Sequence, residues 1–424
     1  MALGCATAWL ACTPQPPKPT TAPTAITQAP VQETEPPWVI RPVRVLLVES
    51  APSALLSIVG PYTIAPRWEK GTGPFSAKHL SGRSGKRDLS PFPIATLAQA
   101  TSLRDGLASA SSFSLTIGPH HFADDEVVIT PARDGSLSVN GRRYRGGLVV
   151  RRVASGQLSI TNVLPIEDYL YGVLGGETYP AWPPAALEAQ AIVARSYVMW
   201  RMVQRRKEPY DLVATVMDQN YVGTSKEDPR LRAAVDRTAG MVLLYQMRLF
   251  RCYYHSTCGG HTEAVQDVFP DPALLPLSPV PCPYCRGSKH YRWHSAIAKA
   301  ELAEALRKAG LSARQVVSLQ VTSRSRSGRA LEVAIGTGEA GGTRMPANDF
   351  RLAVGPSRLP STLFEVRDIG NRLEFQGRGF GHGVGMCQWG ARGMAEAHHS
   401  APEILAHYYP GAELHRLYEG RGTI

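Results

Sequence analysis

Past Trp38 the chain alternates apolar and polar side chains. Val43-Arg-Val-Leu-Leu-Val48 and Leu55-Leu-Ser-Ile-Val59 therefore read as β-strands, followed by Gly-Pro turn residues. From Phe113 short strands recur between turns, at Phe113–Ile117, Val127–Thr130, Leu137–Val139 before an Asn140-Gly141 turn, Gly147–Val150 and Leu158–Thr161. Between these two groups, Lys70–Leu89 shows no period, and Ile94–Ala110 reads as a weak Ala/Leu helix.

The pattern then turns helical. Pro183-Pro184 suits a helix start, and Leu187, Ala191, Ala194 and Val198 fall on one 3.6-period face of a helix running to about Arg206. Small residues dominate that face, so another backbone can approach closely and the helix is expected in the centre of the domain. Further helices are predicted at Pro229–Thr238, Ala298–Ala309 and Pro402–Tyr408, and strands at Met241–Tyr245, Leu249–Tyr254, Val316–Thr322, Ala330–Ile335 and Leu373–Gln376. The resulting expectation is an α+β fold. It consists of a mixed β-rich domain with a central buried helix carrying the active-site motif, plus a smaller inserted subdomain.

Composition narrows the picture. With 424 residues, 43% of them hydrophobic, the chain is long enough for a sizeable core. Lys and Arg total 46 against 35 Asp and Glu, a net charge of +11, which points to an anionic partner. The basic residues are spread along the chain without an interleaved aromatic pattern, which argues against nucleic acid. The densest run, Arg201–Lys207, closes a predicted helix, where cations favour the negative end of the macrodipole.

No run of about 20 apolar residues is present that could span a bilayer as a helix. Leu3-Gly4-Cys5 and Leu10-Ala11-Cys12 each resemble the end of a bacterial lipobox, so residues 1–12 read as a truncated lipoprotein signal. The alternative is a disordered terminus with two incidental cysteines. Residues 13–40, rich in Pro, Thr, Ala and Gln, have the composition of an extended tether.

Three segments carry candidate chemistry. The first runs from Asn162 through Gly175-Gly176-Glu177-Thr178-Tyr179-Pro180-Ala181-Trp182 to Tyr197, the second is Tyr254-His255-Ser-Thr-Cys258-Gly-Gly-His261-Thr-Glu263, and the third is Gly377–Ala391, with Tyr408-Tyr-Pro-Gly411 after it. Glu177 stands between a Gly-Gly pair and the aromatics Tyr179 and Trp182. Glycines let a ligand ring come close and aromatics offer a stacking face. A carboxyl in such partly apolar surroundings has a raised pKa and can act as a general acid. The competing reading of the spacing is a glutamate in the first turn of a helix, where acids are ordinary; Glu167, Asp168 and Glu188 are read as structural. Gly377–Gly393 holds seven glycines with no Lys-Ser/Thr after them, so it is no phosphate loop. Its backbone is expected to pass close to a ligand. His382, Gln388 and Trp389 are candidates to line the groove, with a backbone-bonded buried histidine as the competing reading of His382.

In order and spacing these three segments resemble the SpoIID/LytB family over roughly Val43–Leu414, strongly from Asn140 onward and weakly before it. Domain boundaries follow as 41–135 for the weakly matching β-rich part and 136–424 for the core. The resemblance implies an extracytoplasmic lytic transglycosylase that cuts the bond between N-acetylmuramic acid and N-acetylglucosamine in peptide-free glycan strands. Its motif glutamate corresponds to Glu177, with Tyr179, Trp182, His255, His382, Gln388 and Trp389 as expected substrate contacts. The resemblance makes the ring received by the glycines and aromatics beside Glu177 a sugar. A muramic acid C6 hydroxyl that closes a 1,6-anhydro ring needs one carboxylate where ordinary hydrolases need two. The LytB branch implies an alternative, a glycan-binding protein that enhances a partner amidase. The expected partners are thus glycan strands and a cell-wall amidase, with membrane contact only through an N-terminal lipid anchor.

His255-x-x-Cys258-x-x-His261 followed by Cys282-Pro-Tyr-Cys285 adds a metal motif, since short-spaced Cys/His pairs separated by about 20 residues are ordinary for tetrahedral zinc. Cys258, His261, Cys282 and Cys285 are the expected ligands of a structural zinc that catalysis does not require, leaving His255 for the active site. A disulfide with Cys252 and Cys387 among the possible partners is the competing reading. A zinc-dependent amidase built on the same cluster is a third.

Overall fold

The computed structural model describes residues 40–66, 98–110, 114–132, 135–153, 156–311, 314–338 and 342–420. The lipobox-like cysteines, the tether and the Lys70–Leu89 segment lie outside the described residues.

Ten strands come first: β1 (Val43–Ala51), β2 (Ser53–Pro66), β3 (Ala98–Ala110), β4 (Leu115–Ile117), β5 (His120–Phe122), β6 (Glu126–Pro131), β7 (Ser136–Val139), β8 (Arg142–Tyr144), β9 (Gly147–Val153) and β10 (Gln157–Leu164). They pair antiparallel in the order β1-β10-β9-β6-β2-β3-β4-β5, with β7 and β8 branching from β2. The weak helix expected at Ile94–Ala110 is corrected, because β3 pairs along β2 from Ser53–Ser109 to Ile64–Ala98. Cross-strand pairing overrides the modest helix preference of Ala and Leu.

β10 is buried along nearly its whole length and runs through Pro165 into helix α1 (Ile166–Glu177). Helix α2 (Pro184–Gln204) has Pro at its start as the sequence predicts. Its buried residues lie all round the axis, which is the pattern of a helix enclosed by protein. β11 (Leu212–Val213) extends the large sheet parallel to β1. Helix α3 (Pro229–Arg237) is capped by the Asp228 carboxylate, which accepts from the Arg230 N–H. β12 (Met241–Tyr245) packs on α2 and pairs with β13 (Arg248–Leu249), and β14 (Tyr254–His255) follows.

The chain then leaves this body and returns to it. Between the Cys285 turn and the glycine-rich stretch lie β15 (Trp293–Ala298), α4 (Lys299–Lys308), β16 (Ser318–Arg324), β17 (Ala330–Gly336), β18 (Thr343–Pro346), α5 (Ala347–Val354), β19 (Phe364–Ile369) and β20 (Arg372–Gly377). They form two three-stranded sheets, β15-β20-β19 and β16-β17-β18, around their own core of Ile297, Leu302, Val333, Phe350 and Phe375. This is the inserted subdomain. On return, β21 (Met386–Cys387) pairs parallel with β14, helices α6 (Gln388–Glu396) and α7 (Ala401–Tyr408) pack on α2, and β22 (Glu413–Arg416) pairs with β12. The α+β class stands.

Candidate functional site

Glu177 is the last residue of α1, not a first-turn acid of the helix that follows. At a helix C-terminus a carboxylate faces the negative end of the macrodipole, so nothing in the helix itself favours it there. α1 went unpredicted because Pro165 precedes it and Gly172, Gly175 and Gly176 dilute its apolar period.

Those glycines serve the fold. A Cβ on Gly175 would stand 2.4 Å from the Lys226 carbonyl oxygen, and one on Gly176 2.0 Å from that of Asn220. The expectation that the Gly-Gly pair opens room for a sugar is corrected: it admits the Asn220–Lys226 segment against α1. The close approach lets the Asn220 backbone N–H donate to Glu177 Oε1 at 2.8 Å, while the Asn220 side chain donates to the Gly176 carbonyl at 2.9 Å.

The Glu177 carboxyl is pushed above the usual glutamate range by burial, partly opposed by the Asn220 N–H, Gln388 and Tyr254. The sequence does not single out Tyr254, which opens the second segment, or Gln190, inside the first, as neighbours of the acid, and Asn220 lies outside all three. The Tyr254 hydroxyl is buried with no close hydrogen-bond partner, and Glu177 takes part in no ion pair among the described residues. A poorly hydrated acid with neutral neighbours fits a proton donor.

Gln388, at the start of α6, reaches the same point. Its Nε2 donates to the Glu177 backbone carbonyl at 3.2 Å and to Gln190 Oε1 at 3.3 Å. Trp182 stands edge-on to Trp389 with centroids 5.7 Å apart, and Tyr179 lies 5.7 Å from Trp182. Tyr179 is 59% exposed whereas Trp182 is buried, so Tyr179 and the half-buried Trp389 supply the open aromatic surface. The Arg392 guanidinium lies 4.7 Å over the Trp389 ring.

His382 follows the competing reading of a backbone-bonded histidine, and His255 is likewise held by backbone. The Val384 N–H donates to His382 Nδ1 at 3.1 Å and His382 Nε2 donates to the Tyr254 carbonyl at 2.9 Å, so both ring nitrogens are spent on backbone. Burial holds its pKa well below the ordinary value. His255 donates from Nδ1 to the Val384 carbonyl at 3.1 Å, its ring 5.4 Å from that of His382. Burial, with Arg329 adding to it, lowers its pKa to about 3. Both are neutral struts that fix the glycine-rich stretch. That stretch packs on its own chain: a Cβ on Gly381 would stand 2.8 Å from His255 Cβ, and one on Gly385 2.0 Å from the Tyr253 carbonyl oxygen. Its predicted closeness to a ligand is therefore corrected, and only its end, at Gln388 and Trp389, reaches the Glu177 region.

Four sulfurs meet behind this stretch. Cys258, Cys282, Cys285 and Cys387 are buried, with all four Sγ atoms within 4.8 Å of one another and Cys258 Sγ 3.5 Å from Cys285 Sγ. His261 is not part of the group. Its Nδ1 bonds the Thr262 carbonyl at 2.8 Å, and its backbone bridges to Pro281. Cys387 takes the fourth place, brought in by the pairing of β14 with β21. The described cysteines are all free, so the disulfide reading finds no bonded pair. Tetrahedral zinc with bonds of about 2.3 Å needs sulfurs about 3.8 Å apart, which this set fits. Backbone N–H groups of Cys258 and Gly390 donate to Cys387 Sγ at 3.2 and 3.3 Å, the kind of support that orients a thiolate ligand.

Comparison with known proteins places this architecture. A family model described as stage II sporulation protein matches residues 154–245, the segment holding α1 and α2. A second, described as a domain of unknown function, matches residues 284–385, the inserted subdomain. An uncharacterized protein of Brachyspira hyodysenteriae is 34% identical over 68% of this chain and 76% of its own. Stage II sporulation protein D of Bacillus amyloliquefaciens is 30% identical over 60% of this chain and 75% of its own. The amidase enhancer of Bacillus subtilis is 27% identical over 58% of this chain and 40% of its own length. With the family model on the α1–α2 segment and a stage II sporulation protein D that is 30% identical and three-quarters covered, the chain belongs to the SpoIID/LytB family.

Proposed function

We propose that this protein is a peptidoglycan lytic transglycosylase that cuts the N-acetylmuramic acid–N-acetylglucosamine bond of peptide-free glycan strands, with Glu177 as its general acid and base. The observation that carries the reading is the environment of that carboxyl: half-buried at the end of α1, raised in pKa by desolvation, and paired with no cation among the described residues. With the Asn220 N–H on Oε1, the proton resides on Oε2. Glu177 donates it to the bridging oxygen as the C1–O bond breaks. The muramic acid C6 hydroxyl then bonds to C1 and returns its proton to Glu177, so no water is consumed and a 1,6-anhydro end forms. Tyr179 and Trp389 offer the sugar its apolar faces.

The likeness to an amidase enhancer favours a second reading, in which the surface beside Glu177 binds glycan and the protein stimulates a partner amidase. Incubation with peptide-free strands followed by mass spectrometry separates the two. Transglycosylase activity predicts 1,6-anhydro products from the wild type and none from Glu177→Gln. Product from neither, with stimulation of an added amidase, favours the enhancer.

A structural zinc on Cys258, Cys282, Cys285 and Cys387 belongs to the same proposal. Four thiolates leave no open coordination position, so the metal would supply rigidity. Cys387 directly precedes Gln388, so the sulfur cluster anchors the residue that holds the end of α1. One equivalent of metal is expected in the wild type and in His261→Ala, and a large loss in Cys387→Ser, by elemental analysis. An extracytoplasmic envelope location fits this substrate. No helix among the described residues is long and apolar enough to cross a membrane.

A further inference from the structure

A groove of about 650 Å³ lies on the inserted subdomain where β15, β19 and β20 meet. Arg292, Trp293, His294, Glu365, Gln376 and Arg378 line it. Trp293 is seated by its cross-strand partner Gly377, where a Cβ would stand 2.2 Å from the indole. The indole N–H is buried with no acceptor among the described residues, although a buried indole normally has one. Arg292 and Arg378 are exposed, and neither takes part in an ion pair among the described residues. Glu365, the acid in the lining, is already held by Arg324 at 2.9 Å. The groove therefore offers two exposed guanidinium groups whose charge is uncompensated, and its complement is an acceptor-rich, anionic chain. Arg378 also stands at the start of the glycine-rich stretch whose far end carries Gln388, and the Gly379 N–H is tied to the His290 carbonyl at 2.9 Å. The groove and the Glu177 region thus share one continuous segment of chain.

We propose that this groove is a second glycan subsite, which holds the lactyl carboxylates of a peptide-free strand on Arg292 and Arg378 beside Trp293. The identity of the polymer rests on the cleavage reading above; the binding itself does not require cleavage. In a peptide-free strand each muramic acid carries one free carboxylate, and an amidated strand keeps the same sugars without the charge.

Sedimentation of the full chain carrying Glu177→Gln with insoluble peptide-free strands tests it. Added Arg292→Ala and Arg378→Ala are expected to weaken binding about tenfold, and amidating the strand carboxyls to weaken binding of the parent by about as much, with an unchanged melting temperature because both arginines are exposed. Trp293→Phe, which shrinks the ring and removes the N–H but keeps both arginines, should weaken binding less. Binding unchanged by the arginine substitutions, or indifferent to amidation, overturns the subsite. Should the wild type release no anhydro product while the arginine variant still loses binding, the cleavage reading fails and the subsite stands. Anhydro product from the wild type together with unaltered binding in the arginine variant leaves cleavage standing and removes the subsite.

Discussion

The two ends of α1 each carry a glutamate, and the fold treats them oppositely. At the N-terminal end Glu167 is 1% exposed and accepts from Arg195 at 2.6 and 2.9 Å, from the Tyr418 hydroxyl at 2.6 Å and from the Gly240 N–H at 3.2 Å. The macrodipole favours a negative charge there. At the C-terminal end Glu177 has one backbone donor on its carboxylate, neutral neighbours, and the unfavourable pole of the same dipole. Every feature around Glu167 lowers the cost of its charge, and nearly every feature around Glu177 raises it. An acid placed at a loss to stability is what the proposed proton donor requires, whereas one with a buried cation is part of the frame.

Breaking the compensated end carries the largest expected cost. Arg195→Ala leaves Glu167 buried and unpaired and should cost about 3–5 kcal/mol in chemical denaturation. Gly176→Ala sharpens the contrast at the other end. Helix propensity alone favours Ala by about 1 kcal/mol, but the added Cβ meets the Asn220 carbonyl oxygen, so a net loss of about 1–3 kcal/mol is expected, with displacement of the N–H that holds Glu177. Glu177→Gln should change stability less and in the favourable direction. A carboxyl whose pKa is higher folded than unfolded destabilises the fold as pH rises through the unfolded value. The variant should therefore be at least as stable as wild type at neutral pH, with the advantage vanishing below the ordinary glutamate pKa. The smallest effect belongs to the solvated Glu188–Arg237 pair: Glu188→Ala should shift stability by about 0.5 kcal/mol or less.

Much of the frame was legible because it is written in local pattern. The Pro-initiated, alanine-rich run predicted from Pro183 to about Arg206 is α2 at Pro184–Gln204, and the alternating segments around Val127, Leu137, Gly147 and Leu158 are strands of the large sheet. The failures share a cause, which is that contacts distant in sequence decided them. β3 exists because β2 lies beside it. The glycines around Glu177 and along the C-terminal stretch read as ligand space, yet they are filled by Asn220, His255 and Tyr253. Cys387 lies far from the Cys282/Cys285 pair in sequence, so spacing pointed to the nearer His261. Tyr254 and Gln190 lie in the motif segments at spacings that do not tie them to Glu177, Asn220 lies outside all three segments, and only the fold brings them together.

The central claim is that Glu177 is an uncompensated acid, protonated more readily in the folded protein than a solvated glutamate. The direct measurement is a carboxyl titration by NMR on glutamate-labelled wild type, with the resonance assigned by its absence from Glu177→Gln. The account predicts a midpoint above the ordinary glutamate value; a midpoint at or below that value would contradict it.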